Sequence, residues 1–220
     1  MGIINTPIYL FSDTTYEEVV SLPLFEICFI PFMTDLTPFN ALIFTSKNSV
    51  KALANHGSQW QTKECYAIGE GTAKAIEEAG ANVTFTCQES YGDLFAHEIA
   101  PLLVHKKVFF PRAKEVISPL YEILRDRGID ITQEIVYETV CVSYPSEKAP
   151  EKGALLIFTS PSTVHCFIKN FAWNTSYQAI AIGKKTAAVL PLHVNVFLPE
   201  KQTIASCIDL AKQIRSKNHL

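Results

Sequence analysis

Apolar residues in this chain come in short runs of four to eight, separated by stretches whose apolar positions recur every three to four residues. Runs of the first kind read as strands and stretches of the second as amphipathic helices. Strands are predicted at 8–11, 25–32, 41–45, 65–68, 83–86, 107–110, 131–142, 178–182 and 195–198, with another ending at Thr159. Helix signals fall between them. Ser46 is a candidate N-cap for a helix stopped by Gly57, and Gly80 closes one over about 72–79. A helix is expected near 93–104. Another has Ser118 as N-cap, Pro119 at its first position and Gly128 as stop. Ser160-Pro161 opens one more, 185–190 forms a short one, and Thr203 caps the last. That last helix carries Ile204, Cys207, Ile208, Ala211 and Ile214 on one face. Near the N-terminus, Thr14-Thr15-Tyr16-Glu17 fits a capping box.

The pattern repeats. Ile43-Phe44-Thr45-Ser46 returns as Ile157-Phe158-Thr159-Ser160, and Ala67-Ile68-Gly69 with Thr72 returns as Ala181-Ile182-Gly183 with Thr186. Both matches are offset by 114 residues, so the chain contains a duplicated strand–helix–strand–helix–strand unit. The second copy is two strands short, and the N-terminal runs at 8–11 and 25–32 can supply them. The expected architecture is α/β: two Rossmann-like lobes with mostly parallel five-stranded sheets, joined by a two-stranded hinge linker. Lobe one comprises 1–30 plus 145–220, lobe two 38–135, and the linker strands 31–37 and 136–144. Two crossings make a hinge with a cleft, a usual place for a ligand.

Composition narrows the function. With 48% apolar and 19% charged residues among 220, and a net charge of −3, the chain is an ordinary globular sequence. No Lys/Arg block exceeds two residues, which excludes a nucleic-acid footprint. The most apolar stretch, 22–33, is broken by Glu26 and two prolines and does not span a bilayer. No secretory signal precedes it, and a cytoplasmic location is expected. The six cysteines show neither Cys-x-x-Cys nor a zinc spacing, and they read as buried thiols of a reducing compartment. No metal is expected.

Any anion must therefore be met by local donors. In parallel α/β sheets ligands lie beyond the carboxyl ends of strands, where helix N-termini offer free N–H groups. Thr45-Ser46, Gly69 with Thr72, Ser160, and Gly183 with Thr186 all fall there. The same residues also serve as ordinary caps and turns. Two nucleotide fingerprints fail: Lys74 stands where the dinucleotide motif needs its third glycine, and Gln178 where a P-loop needs its first. Tyr137 ends the strand nearest the second crossing, as a proton donor or a packing residue with a wet hydroxyl. Arg112, past the 107–110 strand, is a carboxylate clamp or a solvated side chain.

These segments, in order, resemble the uroporphyrinogen-III synthase family. The resemblance runs through Leu42-Ile43-Phe44-Thr45-Ser46, Ala67-Ile68-Gly69, Tyr91-Gly92-Asp93-Leu94 and Phe110-Pro111-Arg112. It continues through Arg127-Gly128-Ile129, Val136-Tyr137-Glu138-Thr139, Phe158-Thr159-Ser160-Pro161-Ser162 and Ala181-Ile182-Gly183. It implies two lobes and a cofactor-free ring closure of the linear tetrapyrrole hydroxymethylbilane, with inversion of the last pyrrole ring and loss of water. It implies Tyr137 as the acid, and Thr45, Ser46, Gly69, Thr72, Arg112, Ser160, Gly183, Thr186 and Thr203 at ligand-facing positions. The partner is then an anionic small molecule, with transient contact to the preceding pathway enzyme and no nucleic acid or membrane. One departure stands out: many members carry a glycine-rich stretch with a second arginine where this chain has Ala113-Lys114-Glu115-Val116-Ile117. Lys114 either substitutes as a point charge or leaves that contact absent. The competing reading is a non-catalytic, two-lobed cytosolic binding or sensing protein, and a nucleotide-dependent enzyme stands third.

Overall fold

In a computed structural model that describes residues 6–57, 59–87, 92–116 and 118–217, the chain forms two units, and each carries one copy of the duplicated pattern. The inserted unit is Ile27–Thr139; the described chain on either side of it makes the terminal unit.

The terminal unit is built on a five-stranded sheet. Its strands are β1 (Ile8–Leu10), β2 (Val20–Ser21), β9 (Leu155–Phe158), β10 (Gln178–Ala181) and β11 (Val196–Phe197). They lie in the order β11-β10-β9-β1-β2 and all pair in parallel. Helices α5 (Pro161–Asn170), α6 (Lys184–Ala187) and α7 (Ile204–Lys217) belong to the same unit. The central strands are wholly apolar and buried, as strands covered on both faces must be.

The inserted unit repeats this plan with β4 (Ala41–Phe44), α1 (Lys47–His56), β5 (Glu64–Ile68), α2 (Glu70–Glu78) and β6 (Val83–Cys87). It then extends it through α3 (Gly92–Ile99), β7 (Lys107–Ala113), α4 (Leu120–Asp126) and β8 (Asp130–Cys141). A sixth strand, β3 (Phe25–Phe29), closes the order β3-β8-β7-β4-β5-β6. Four of the pairings are parallel. The fifth is antiparallel, since Ile30 N–H bonds Val136 O while Val142 N–H bonds Leu24 O, partner numbers falling as the strand advances. The helices α1 and α5 span equivalent positions 114 residues apart, with Ser46 and Ser160 as their N-caps.

Four expectations need correction. The run at 25–32 does not complete the terminal sheet. That role falls to β2, a two-residue strand reached from β1 without a helix, and β3 joins the other sheet, which therefore has six strands. The capping box at 14–17 starts no helix, because Val19-Val20 and then Pro23 leave no room for a turn to propagate; the segment makes a turn, with Val19 N–H to Tyr16 O. Residues 31–37 form no strand. Pro31 has no N–H to continue the ladder past Ile30, and side chains hold the segment instead, His56 Nε2 to Phe32 O at 2.9 Å and Thr34 Oγ1 to Glu134.

The fourth correction concerns thiols. Cys141, at the end of β8, and Cys166, on α5, form a disulfide across 25 residues of chain, where the sequence suggested six thiols. Strand and helix bring the pair to a Cα separation of 5.3 Å, within the usual bridging range. Alkylation of the denatured, unreduced protein should accordingly modify Cys28, Cys65, Cys87 and Cys207 and spare the other two. Six labelled cysteines on intact-mass measurement would contradict the bridge.

A candidate ligand cavity in the inserted unit

Because β4, β5, β7 and β8 run in parallel, their carboxyl ends share one edge of the sheet. A cavity of about 470 Å³ opens there, lined by Thr45 and Ser46 after β4, Ile68 at the end of β5, Phe110 and Ala113 of β7, and Tyr137 of β8. Gly92 at the start of α3, Glu115, Val116, Ser118 and Leu120 complete the wall. Ser46 caps α1: its Oγ accepts from Asn48 N–H at 3.1 Å, which leaves its own O–H to donate. Tyr137 is 7% exposed.

The sequence-derived candidates separate. Thr45, Ser46 and Tyr137 meet in this cavity. Arg112 lies in a neighbouring one of about 250 Å³, with Lys114, Ser118 and Gln133. Its guanidinium is engaged: Nε donates to Gln133 Oε1 at 2.8 Å, and Nη1 donates to Ala113 O at 2.8 Å and Lys114 O at 3.1 Å. Lys114 is engaged as well. Its ammonium sits 2.7 Å from Glu138 Oε2, and that hydrogen bond, then the opposite charge, hold it above the ordinary lysine pKa.

Gly69 and Thr72 open α2, next to the cavity-lining Ile68. Gly69 N–H donates to Cys87 O at 2.8 Å, and Thr72 is buried at 7% exposure. In the terminal unit Ser160 and Thr163 form a reciprocal capping box, Thr203 Oγ1 accepts from Ser206 N–H, and Thr186 is buried at 3%. Gly183 packs against the Gln202 side chain. Tyr91, quoted with Gly92 in the sequence pattern, falls outside the described residues.

Ser118 does not cap α4. The helix α4 begins one residue later than predicted, with Pro119 in the N-cap position, so the Ser118 hydroxyl is not a capping group. That hydroxyl is buried, lines both cavities, and has no hydrogen-bond partner among the described residues. It lies so near Gly92 that a Cβ there would stand 2.0 Å from Ser118 Oγ. Nothing in the spacing of Ser-Pro distinguishes a cap from a serine displaced one step into a cavity wall.

The duplicated glycines differ in what they require. Gly69 has φ 74° and ψ 153°, a region open essentially to glycine alone, whereas Gly183 at φ −167° is in ordinary extended backbone. Gly69→Ala should thus destabilise the protein by about 1–3 kcal/mol. Gly183→Ala should cost less, because only the flexible end of Gln202 must move. Equal losses in urea titrations of the two variants would refute this difference.

Among the described residues, no group of three or more His, Cys, Asp and Glu side chains is placed to hold a metal ion, and no helix is long and apolar enough to cross a membrane. What the fold and cavity define is a duplicated α/β protein with hydroxyl donors and a tyrosine at the carboxyl edge of one sheet. Residues 15–209 match the family model described as uroporphyrinogen-III synthase HemD. A curated relative, the uroporphyrinogen-III synthase of Chlorobaculum parvum, is 26% identical over 174 residues, covering 71% of each chain. The crystal structure of uroporphyrinogen-III synthetase from Helicobacter pylori superposes with a TM-score of 0.81 at 33% identity, covering 95% of this chain and 99% of that one. A mutant uroporphyrinogen III synthase from Thermus thermophilus shares the fold, at TM-score 0.59 and 15% identity over 90% of each chain. The chain belongs to the uroporphyrinogen-III synthase family of haem biosynthesis.

Proposed function

We propose that this chain is a cytoplasmic lyase that closes hydroxymethylbilane into uroporphyrinogen III, with inversion of the last ring, and that Tyr137 is its acid. The observation that carries this reading is the placement of a buried tyrosine in the same cavity as the Thr45 and Ser46 hydroxyls, at the carboxyl edge of a parallel sheet. The reaction begins when the hydroxymethyl group departs. A hydroxide is a poor leaving group; a proton delivered to its oxygen lets it leave as water, and the electron-rich pyrrole that remains closes through a spiro intermediate. A phenol held against the departing oxygen can deliver that proton directly.

The substrate's carboxylates need donors. In the cavity that holds Tyr137, Ser46 accepts a backbone N–H through its side-chain oxygen and so retains an O–H to donate. The amides that open α1, next to Thr45, add backbone donors at the same edge. Holding the bound chain in one orientation then selects the inverted closure over the direct one that free hydroxymethylbilane undergoes.

The test is an isomer assay. Purified protein given hydroxymethylbilane and no added cofactor should yield the type III isomer. Type I product alone, at the rate of a protein-free blank, would overturn the proposal.

A further inference from the structure

Strand β8 is irregular at the residue that matters most. Its pairing with β7 keeps one offset from Lys107↔Asp130 through Arg112↔Ile135, then slips by one, so that Ala113 stands opposite Tyr137. Val136 has no partner on β7 and instead gives its carbonyl to Ile30 N–H on the other side. In a regular strand successive side chains point to opposite faces. Here Val136, 0% exposed, and Tyr137 pack into one and the same core cluster, together with Phe109 and Phe44. The bulge is what puts both on one face, and without it Tyr137 would turn to the face that carries Arg112.

We infer that Arg112 is a positioning residue: with Gln133 and Lys114 it clasps the bulge that turns Tyr137 into the cavity. The inference rests on the acid role proposed above for Tyr137. One peptide group is the pivot. The carbonyl of Ala113 accepts from Arg112 Nη1 at 2.8 Å, and the N–H of that same peptide, on Lys114, donates to Tyr137 O at 2.9 Å. Drawing on the carbonyl strengthens the N–H as a donor, so the guanidinium tightens the bond that fixes the Tyr137 backbone. Nε anchors the fork to Gln133 on β8, before the slip, and Lys114 Nζ reaches Glu138, after it. The bulge is thus tied at both ends. Arg112 itself does not line the cavity that Tyr137 occupies. A lysine at 112 cannot reproduce a planar fork that serves a side-chain amide and two carbonyls at once.

A double-mutant cycle read as kcat and KM separates this role from carboxylate binding. Arg112→Ala should lower kcat about 10- to 100-fold with KM little changed, the scale of loss when a catalytic group is misplaced by about 1 Å. Arg112→Lys should rescue little. In a Tyr137→Phe background the same substitution should cost no further kcat. A raised KM with kcat intact, or the full loss recurring in Tyr137→Phe, would overturn the inference. A second readout does not depend on turnover. In protein labelled with 13C on the tyrosine rings, the signal missing from Tyr137→Phe identifies Tyr137, and Arg112→Ala should shift it; an unmoved signal also overturns the clasp. If Tyr137→Phe keeps full activity, the acid proposal fails, and the ring signal alone then decides the clasp. Gln133→Ala, judged by the same shift, replaces Arg112→Ala should that variant fail to fold.

Discussion

Tyr137→Phe is expected to slow conversion of hydroxymethylbilane by about 10²–10⁴-fold, the usual contribution of one positioned acid, while the protein stays folded. The substitution removes only the hydroxyl. The ring keeps its place in the cluster with Phe32, Phe39, Phe109 and Val136, so the core loses no volume. Tyr137→Ala, by contrast, would confound catalysis with a cavity in that core. The expected signature is a fall in kcat with an unchanged urea midpoint, and the residual product should still be type III, since the groups that orient the substrate are untouched. A loss of less than about threefold would mean that another group delivers the proton. The serine and threonine hydroxyls that share the cavity are poorer acids and serve better as donors to carboxylates.

The largest effect on stability should come from Phe167→Ala. Phe167, 0% exposed on α5, is surrounded by rings: Phe11 at 5.2 Å, Phe158 at 5.5 Å, Phe171 at 5.5 Å, Trp173 at 5.6 Å and Tyr177 at 6.3 Å between centroids. The Phe158 and Trp173 contacts are edge-on, at 88° and 69°, the arrangement that ring quadrupoles favour. Rings packed on several sides of a deleted side chain cannot all collapse into the space it leaves, so a cost of about 3–5 kcal/mol is expected. Trp173 reports on it directly. In a Trp60→Phe background its fluorescence follows the terminal unit alone, and a loss below about 1 kcal/mol in urea titration would show that the stack relaxes freely.

The sequence made the α/β organisation and three of the cavity's lining residues legible because several elements are written in local chemistry. The 114-residue offset predicts α1 and α5, and Ser46, Ser160 and Thr203 cap where expected. Gly57, Gly80 and Gly128 all take positive φ, at the three predicted helix stops. Local signals failed where a distant partner decided the outcome. The run from 25 looked like a strand and is one, but membership of a sheet depends on Val136 and Val142, more than a hundred residues away. β2 is too short for any periodicity. Cys141 and Cys166 meet only because β8 and α5 fold together. At the site, Thr45, Ser46 and Tyr137 were found from position along strands. Ser118 was missed because a one-residue delay in α4 changes its role. The partners of Arg112, the Gln133 side chain and the carbonyls of Ala113 and Lys114, are ones that no sequence pattern displays.

The interior place of β1 in the terminal sheet, between β9 and β2, sets an order of events during translation. Ile8 pairs with Leu155, which leaves the ribosome 147 residues later; at roughly 5–20 residues per second that is a wait of about 7–30 s. Meanwhile β3 to β8 can assemble with one another, since all the strands of their sheet lie between residues 25 and 141. The N-terminal strand, which has only β2 for a partner until then, therefore waits without β9 while the inserted unit is completed. On ribosomes stalled so that the chain has emerged through Cys141 but not as far as Leu155, protease should cut within β1 and β2 and spare the inserted unit; protected β1 and β2 at that stage would mean that β1 finds shelter before β9 exists.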